Sequence, residues 1–422
     1  MHILFIHQNF PGQFKNLAPR LVELGHDVTA VKIGSGGYGT YLGVKVHQYT
    51  LKVKNSKVSN PWLIDFESKL IRGTACYKFL RNLYANKPLP DIIVAHPGWG
   101  ETLFLKDLWP EVHLALYSEF FYQIEGCDVN FDAEFEPVEN DLLALKLRMK
   151  NINNFIHFHT ADAAISPTIW QASTFPLPFR NKIKVIHDGI DTQLVCPNPN
   201  AFLNLKTHNG ADLFLQSGDE IVTFVNRNLE PYRGFHIFMR AVPEILRQRQ
   251  NARILILGDS DAGYGAKPNQ LKYGKKSWRE IFTSEVRPRI PEQDWSRIHF
   301  LGKVSYPNFL TTMQLSSVHV YLTYPFVLSW SLLEAMSAGA AVVASATKPV
   351  FEVVEDNYNG ELVDFFDNVD LAFRICRLLQ DSARRIRLSK NARQTIIENY
   401  DLKSICLPQQ VDWIKRVSAV ST

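Results

Sequence analysis

The sequence predicts an α/β fold built from two doubly wound, Rossmann-like domains. Three observations predict it. Short apolar runs rich in β-branched residues alternate with stretches of helical periodicity. The alternation lapses once, in a proline- and asparagine-rich stretch near the middle, and then restarts. The length, 422 residues, suits two or three domains.

Ile3 to His7 reads as a buried strand, and Gln8 to Gly12 as a turn. Phe14, Leu17, Ala18, Leu21 and Leu24 then recur at helical spacing until Gly25 stops the helix. Asp27 to Ile33 returns as a strand, which completes a βαβ unit and predicts a parallel sheet. Gly34 to Gly39 is read as a mobile loop. Val44 to Tyr49 is a strand, Phe66 to Asn86 a long helix, and Asp91 to His96 a strand closing on Pro97-Gly98. Leu114 to Tyr117 and Ala163 to Ser166 are two more strands. Composition shifts near Val185. The pattern restarts with strands at Ile221–Asn226, Arg253–Leu257, Ile298–Leu301, Val318–Leu322 and Ala341–Ala344. Helices fall at Phe235–Arg247, with Pro243 a kink, and at Ser331–Ala338. The expected division is a first domain over 1–195, a polar linker over 196–217, a second domain over 218–395, and a helical segment over 396–422 packing back on the first domain. Paired domains of this kind bring their strand ends face to face across a cleft, which suits an elongated donor on one side and an acceptor on the other.

Composition narrows the function classes. Hydrophobic residues make up 46% and charged residues 21%, which is ordinary for a protein with a full core. Lys and Arg exceed Asp and Glu by only 46 to 42, so charge gives no argument for nucleic acid. The five cysteines (Cys76, Cys127, Cys196, Cys376 and Cys406) are odd in number and scattered, without zinc spacing, and read as small core residues of a reducing compartment. The start of the chain has neither a basic leader nor an apolar run of signal-peptide length, and no stretch is apolar enough to span a bilayer. The expected location is cytoplasmic, with peripheral contact at the inner face of a membrane compatible.

The sharpest constellation lies in the second half. Arg227 ends a strand and Arg233 precedes Gly234 at a helix start, so two guanidiniums flank one strand-to-helix loop. Helix N-termini and arginine forks both favour phosphate oxygens; the plainer alternative is a pair of surface arginines. Ser331 and Glu334 are spaced as a capping box, which explains the carboxylate structurally. A carboxylate in a first helical turn can also accept both hydroxyls of a ribose.

These residues resemble the donor domain of glycosyltransferase family 4, which has the GT-B fold. The family pattern runs Gly-Arg, a short loop, Lys-Gly, and later Glu-x7-Glu within a Glu-Gly-Phe-Gly…Leu-Leu-Glu-Ala-Met run. Arg227 matches its arginine and Glu334 its second glutamate. Gly258-Asp259 matches the Gly-Asp-Gly turn, and Gly302-Lys303-Val304 the Gly-x-Val that reaches the base. Ala341-Val342-Val343-Ala344, Asn359-Gly360 and the junction Ile186-His187-Asp188-Gly189-Ile190-Asp191 continue the likeness. It is specific from 221 to 365 and looser before, where His7-Gln8-Asn9-Phe10-Pro11-Gly12-Gln13-Phe14 points to one bacterial branch. Two positions depart from the pattern. Arg233 stands for the phosphate lysine, a fork in place of a point donor. Phe326 stands for the first glutamate, which in the family contacts the transferred sugar; Ser329, Trp330 and backbone amides are the replacements expected.

The resemblance implies a retaining, metal-independent transferase of sugars from a UDP- or GDP-sugar to a carbohydrate or lipid-linked acceptor, in bacterial surface polysaccharide or glycoconjugate synthesis, with no cofactor. The implied donor site comprises Arg227, Arg233, Gly258, Val304, Ser329, Trp330, Ser331 and Glu334, with domain closure excluding water. The first domain would hold the acceptor, near the Pro11-Gly12-Gln13 loop, His96 of His96-Pro97-Gly98, and Glu119, which stands where the family often has a strand-end histidine. Arg227, Arg233, Glu119 and His96 are the expected catalytic set. The plainer alternatives are an ordinary βα turn at Gly12 and a structural His96. Asp259-Ser260-Asp261 has a metal-binding form but matches the GT-B turn, so no metal is expected. Gly263 to Lys276 reads as a polar mobile loop. Two other classes compete: a nucleotide-sugar-binding protein without transfer activity, suggested by Phe326, and a dinucleotide-dependent oxidoreductase, disfavoured because no Gly-x-Gly-x-x-Gly follows either first strand.

Overall fold

The computed structural model describes residues 1–54, 60–135, 142–206, 210–260 and 263–419. They divide into two units: Met1–Asn130, Pro137–Gly189 and Lys403–Thr422 form the first, Phe131–Glu136 and Ile190–Leu402 the second. The first holds strands β1 (His2–Ile6), β2 (Asp27–Ile33), β3 (Gly37–Tyr41), β4 (Val44–Tyr49), β5 (Ile92–Ala95), β6 (His113–Tyr117), β7 (Ala163–Ser166) and β8 (Ile183–Val185). Their order is β3-β4-β2-β1-β5-β6-β7-β8, and every neighbouring pair is parallel except β3 with β4. Ile3, Leu4, Phe5 and Ile6 are all fully buried, which requires cover on both faces of the sheet. The helix Leu17–Glu23 supplies part of it on one face, and Ile64–Leu83 on the other. The last helix, Leu407–Ala419, adds Val411, Trp413 and Ile414 to the core that holds Ile3 and Leu17.

The second unit holds a hairpin of β9 (Phe202–Lys206) and β10 (Asp212–Gln216), then β11 (Ile221–Asn228), β12 (Arg253–Asp259), β13 (Ile298–Gly302), β14 (Val318–Tyr321), β15 (Ala341–Ser345) and β16 (Glu361–Val363). The order of its parallel sheet is β13-β12-β11-β14-β15-β16. The helix Phe235–Gln248 runs without a break through Pro243 and buries Phe235, Phe238, Val242 and Ile245.

Two segments differ from the sequence reading. The glycine-rich stretch expected as a loop contributes β3, since an antiparallel edge strand is held by backbone pairing with β4 and needs no side chains. The stretch after Cys196 contains the β9–β10 hairpin: Leu203, Leu205, Leu213 and Leu215 alternate inward between exposed neighbours. Four cysteines are buried, Cys196 is half-buried, and all are free thiols. Among the described residues no helix is long and apolar enough to cross a membrane.

In both parallel sheets the strand order reverses beside the first strand laid down, between β1 and β5 and between β11 and β14. Ligand crevices form beyond the carboxyl ends of strands at such switch points. His7 and His96 lie just past β1 and β5; Arg227 and Thr323 lie at and just past the ends of β11 and β14.

Candidate functional site

In the second unit, Val225, Asn226 and Arg227 of β11, Leu257 and Gly258 of β12, and Gly302, Lys303 and Val304 at the end of β13 line a pocket of about 340 Å3, with Tyr306, Phe309, Ser329 and Ser331. Five residues of the expected donor site, Arg227, Gly258, Val304, Ser329 and Ser331, therefore share one hollow. Arg227 is exposed, and its guanidinium has no hydrogen-bond or ion-pair partner among the described residues. Gly258 has φ +149°, and a Cβ there would fall 2.8 Å from the Asn226 carbonyl oxygen, so the turn demands glycine. Glu334 is buried and accepts the Tyr306 hydroxyl at 2.9 Å. Burial, then the Glu334 charge, pushes the Tyr306 phenol up, so it stays a neutral donor.

The capping box expected of Ser331 and Glu334 is not formed. Ser329 is the N-cap of the helix Trp330–Ser337, its Oγ accepting from the Ser331 N–H at 3.3 Å, which places Glu334 beyond the first turn. Glu334 therefore does not cap this helix, and one of its contacts is the Tyr306 hydroxyl. Trp330 is half-buried against the core around Leu332 and is not part of the pocket wall.

Arg233 is buried, 5% exposed, and does not line the hollow. Its Nη1 donates to the Tyr321 hydroxyl (3.2 Å), Thr323 Oγ1 (2.8 Å) and the Val327 carbonyl (3.1 Å), leaving Nε and Nη2 without a described partner. The Tyr264 ring lies 5.3 Å from its guanidinium carbon. Tyr264 is placed by Glu230, whose buried carboxylate accepts the N–H groups of Gly263 (3.2 Å), Tyr264 (3.0 Å) and Gly265 (3.0 Å). The loop read as mobile is therefore tethered at its start. Phe326 is also buried, its ring centroid 5.1 Å from Tyr264 and 5.7 Å from Tyr232. Asp259 pairs with Lys303 at 2.5 Å, and Asp261 lies outside the described residues.

In the first unit three histidines close strands in the same way. Nδ1 of His7, His96 and His187 accepts the N–H of Asn9 (3.0 Å), Gly98 (3.1 Å) and Gly189 (3.0 Å) respectively. Each ring so held carries its hydrogen on Nε2. His7 Nε2 donates to Gln13 Oε1 at 2.8 Å. His96 Nε2 is buried with no hydrogen-bond partner and stands 3.7 Å from Glu119 Oε2. The His7 and His96 rings are 5.4 Å apart, and Trp99 packs on both. Burial, then the charge of His96, lowers His7 to about 4. Pro11, Gly12, Gln13, His96 and Glu119 thus gather at the β1, β5 and β6 ends of one sheet.

Asp132, Glu134 and His236, all in the second unit, place ligand-type atoms within 4.8 Å of one another. The two carboxylates are already compensated: Arg240 grips both Glu134 oxygens (2.8 and 2.7 Å), and Asp132 accepts the Tyr324 hydroxyl (2.7 Å). His7, Glu230, Tyr306 and Asp132 went unmarked in the sequence. His7 opens a quoted motif and Tyr306 lies just after another, so both were within reach; Asp132 has no local signal.

The profile described as "Glycosyl transferase family 4 group" matches residues 25–195, and that described as "Glycosyl transferases group 1" matches 219–381. The chain belongs to the family 4, group 1 glycosyltransferases of the GT-B fold. Spore coat protein SA of Bacillus subtilis is 27% identical over 256 residues, 59% of this chain and 62% of that one, so the match spans under two thirds of the relative. Sucrose-phosphate synthase from Thermosynechococcus elongatus shares the fold at TM-score 0.72, with 16% identity over the whole of both chains. Anabaena HepE in complex with UDP and glucose does so at TM-score 0.66, with 16% identity over 99% of each chain.

Proposed function

We propose that the chain is a retaining, metal-independent glycosyltransferase that moves a sugar from a UDP- or GDP-sugar to a carbohydrate or lipid-linked acceptor, in bacterial surface-polysaccharide or glycoconjugate synthesis. The observation that carries this reading is the exposed Arg227 guanidinium, unpaired among the described residues, in a pocket walled by Gly258, Val304, Ser329 and Ser331. Arg227 takes the diphosphate, with Nε and Nη2 of Arg233, which have no described partner, as the further donors. Their charge is worth most as the sugar–phosphate bond breaks and the leaving group becomes more anionic. Val304 meets the base through its backbone, and Glu334, steadied by Tyr306, accepts from the ribose hydroxyls. The likeness to HepE, a protein seen in complex with UDP and glucose, favours a uridine nucleotide. The acceptor docks in the first unit beside Pro11, Gly12 and Gln13, with His96 Nε2–H donating to a hydroxyl oxygen and Glu119 receiving a hydroxyl hydrogen.

One observation favours a second reading, a nucleotide-sugar-binding protein without transfer. Phe326 is packed among Tyr232 and Tyr264 and offers the sugar no hydrogen bond. Calorimetric titration with UDP-, GDP- and ADP-sugars, followed by nucleotide release with an acceptor extract, separates the two. One donor class is expected to bind and turn over, and Arg227→Ala to weaken its binding roughly tenfold or more. Binding without turnover against a broad acceptor panel selects the second reading, and failure of every donor to bind removes both.

A further inference from the structure

Asp132 comes from the first half of the sequence and belongs to the second unit. Its carboxylate is 2% exposed. Oδ2 accepts the Tyr324 hydroxyl at 2.7 Å and lies 3.1 Å from His236 Nε2, a close approach rather than an aligned hydrogen bond. Oδ1 accepts the Glu134 N–H at 3.0 Å. Phe131 packs on Tyr324 with centroids 5.0 Å apart, and Phe135 packs edge-on to His236 at 5.1 Å. Burial pushes the Asp132 carboxyl up, but His236 and the Tyr324 hydroxyl outweigh it and hold it below its ordinary value.

Both partners border Arg233. His236 sits in the first turn of the helix that begins just after it. Tyr324 follows Thr323, whose Oγ1 accepts from Arg233 Nη1, and the Tyr324 N–H donates to the carbonyl of Tyr232, the residue before Arg233, at 3.0 Å. Val327, further along the same segment, supplies another acceptor for Nη1. One carboxylate therefore fastens the segment that receives the Arg233 guanidinium and touches the helix start that follows its backbone. Such support fixes the acceptors of a charged fork in place, and with them the fork.

We infer that Asp132 is a positioning residue for the donor diphosphate, holding Arg233 through Tyr324 and His236; this rests on the nucleotide-sugar reading above. The test uses the full chain and the nucleoside diphosphate that it binds, UDP or GDP, against the matching nucleoside. Asp132→Asn and Tyr324→Phe are expected to weaken the diphosphate roughly tenfold while moving the nucleoside by less than about twofold, and to raise the donor KM more than they lower kcat. Tyr324→Phe removes a single hydroxyl, so it carries the test if Asp132→Asn does not fold. Equal losses for diphosphate and nucleoside would mark a merely structural role and overturn the inference. An unchanged diphosphate affinity in folded Tyr324→Phe would also overturn it. Absence of nucleotide binding by the unaltered chain is a separate result, which overturns the underlying reading first.

Discussion

Gly12 lies against the His7 ring so closely that a Cβ at position 12 would fall 2.4 Å from both Cε1 and Nε2. The backbone there also has φ +48°, a conformation side chains resist. Gly12→Ala must therefore displace the imidazole and its bond to Gln13. The expected cost is about 1–3 kcal/mol in urea unfolding. An unchanged midpoint would contradict the packing.

Tyr306 ties the pocket wall to Glu334 through one hydroxyl. Tyr306→Phe leaves the ring and removes this one contact of the carboxylate. Hydrogen bonds to charged groups contribute about 1.5–3 kcal/mol, so donor affinity should fall roughly tenfold and the melting temperature by several degrees. Calorimetry on the folded variant checks both.

Glu230 holds three successive backbone N–H groups of the loop that covers Arg233. Glu230→Ala should free the segment from Gly263 to Lys276. Limited proteolysis is expected to cut there several-fold faster than in the unaltered chain. Equal rates would mean that the loop is held by other contacts.

The first unit should lose stability in mild acid. Burial lowers His7 and His187 to about 4 and His157 to about 3, against an ordinary value of 6.5. Between roughly pH 6.5 and 4 the unfolded chain binds more protons than the folded one, so stability rises with pH across that window. It is fully present above 6.5 and drains away as pH falls. Urea midpoints at pH 7 and pH 5, with the accompanying proton uptake, test the sign.

The parallel sheets were legible because strands buried on both faces are written as unbroken apolar runs, such as Ile3-Leu4-Phe5-Ile6 and Ala341-Val342-Val343-Ala344. β3 and β9–β10 were not, since an edge strand with glycines and a half-exposed hairpin carry weak hydrophobic patterns. At the candidate site, residues next to strand ends could be placed from the sequence: Arg227, Gly258 and Val304 meet in one pocket. Arg233 flanks the same loop, but its burial under Tyr264 depends on a partner from another loop. Asp132 was hidden for the same reason at greater range. Tyr324 and His236 are remote from it in sequence, and only the fold brings them together.

The shared turn at His7, His96 and His187 has a consequence for proton traffic. On the acceptor site proposed above, with the lone-pair nitrogen of His96 already committed to a main-chain amide, an acceptor alcohol would be received by its oxygen and keep its hydrogen. The imidazole can orient that alcohol but cannot strip it. Another base must then take the hydrogen, and Glu119, whose Oε2 stands 3.7 Å from His96 Nε2, is one that the chain supplies.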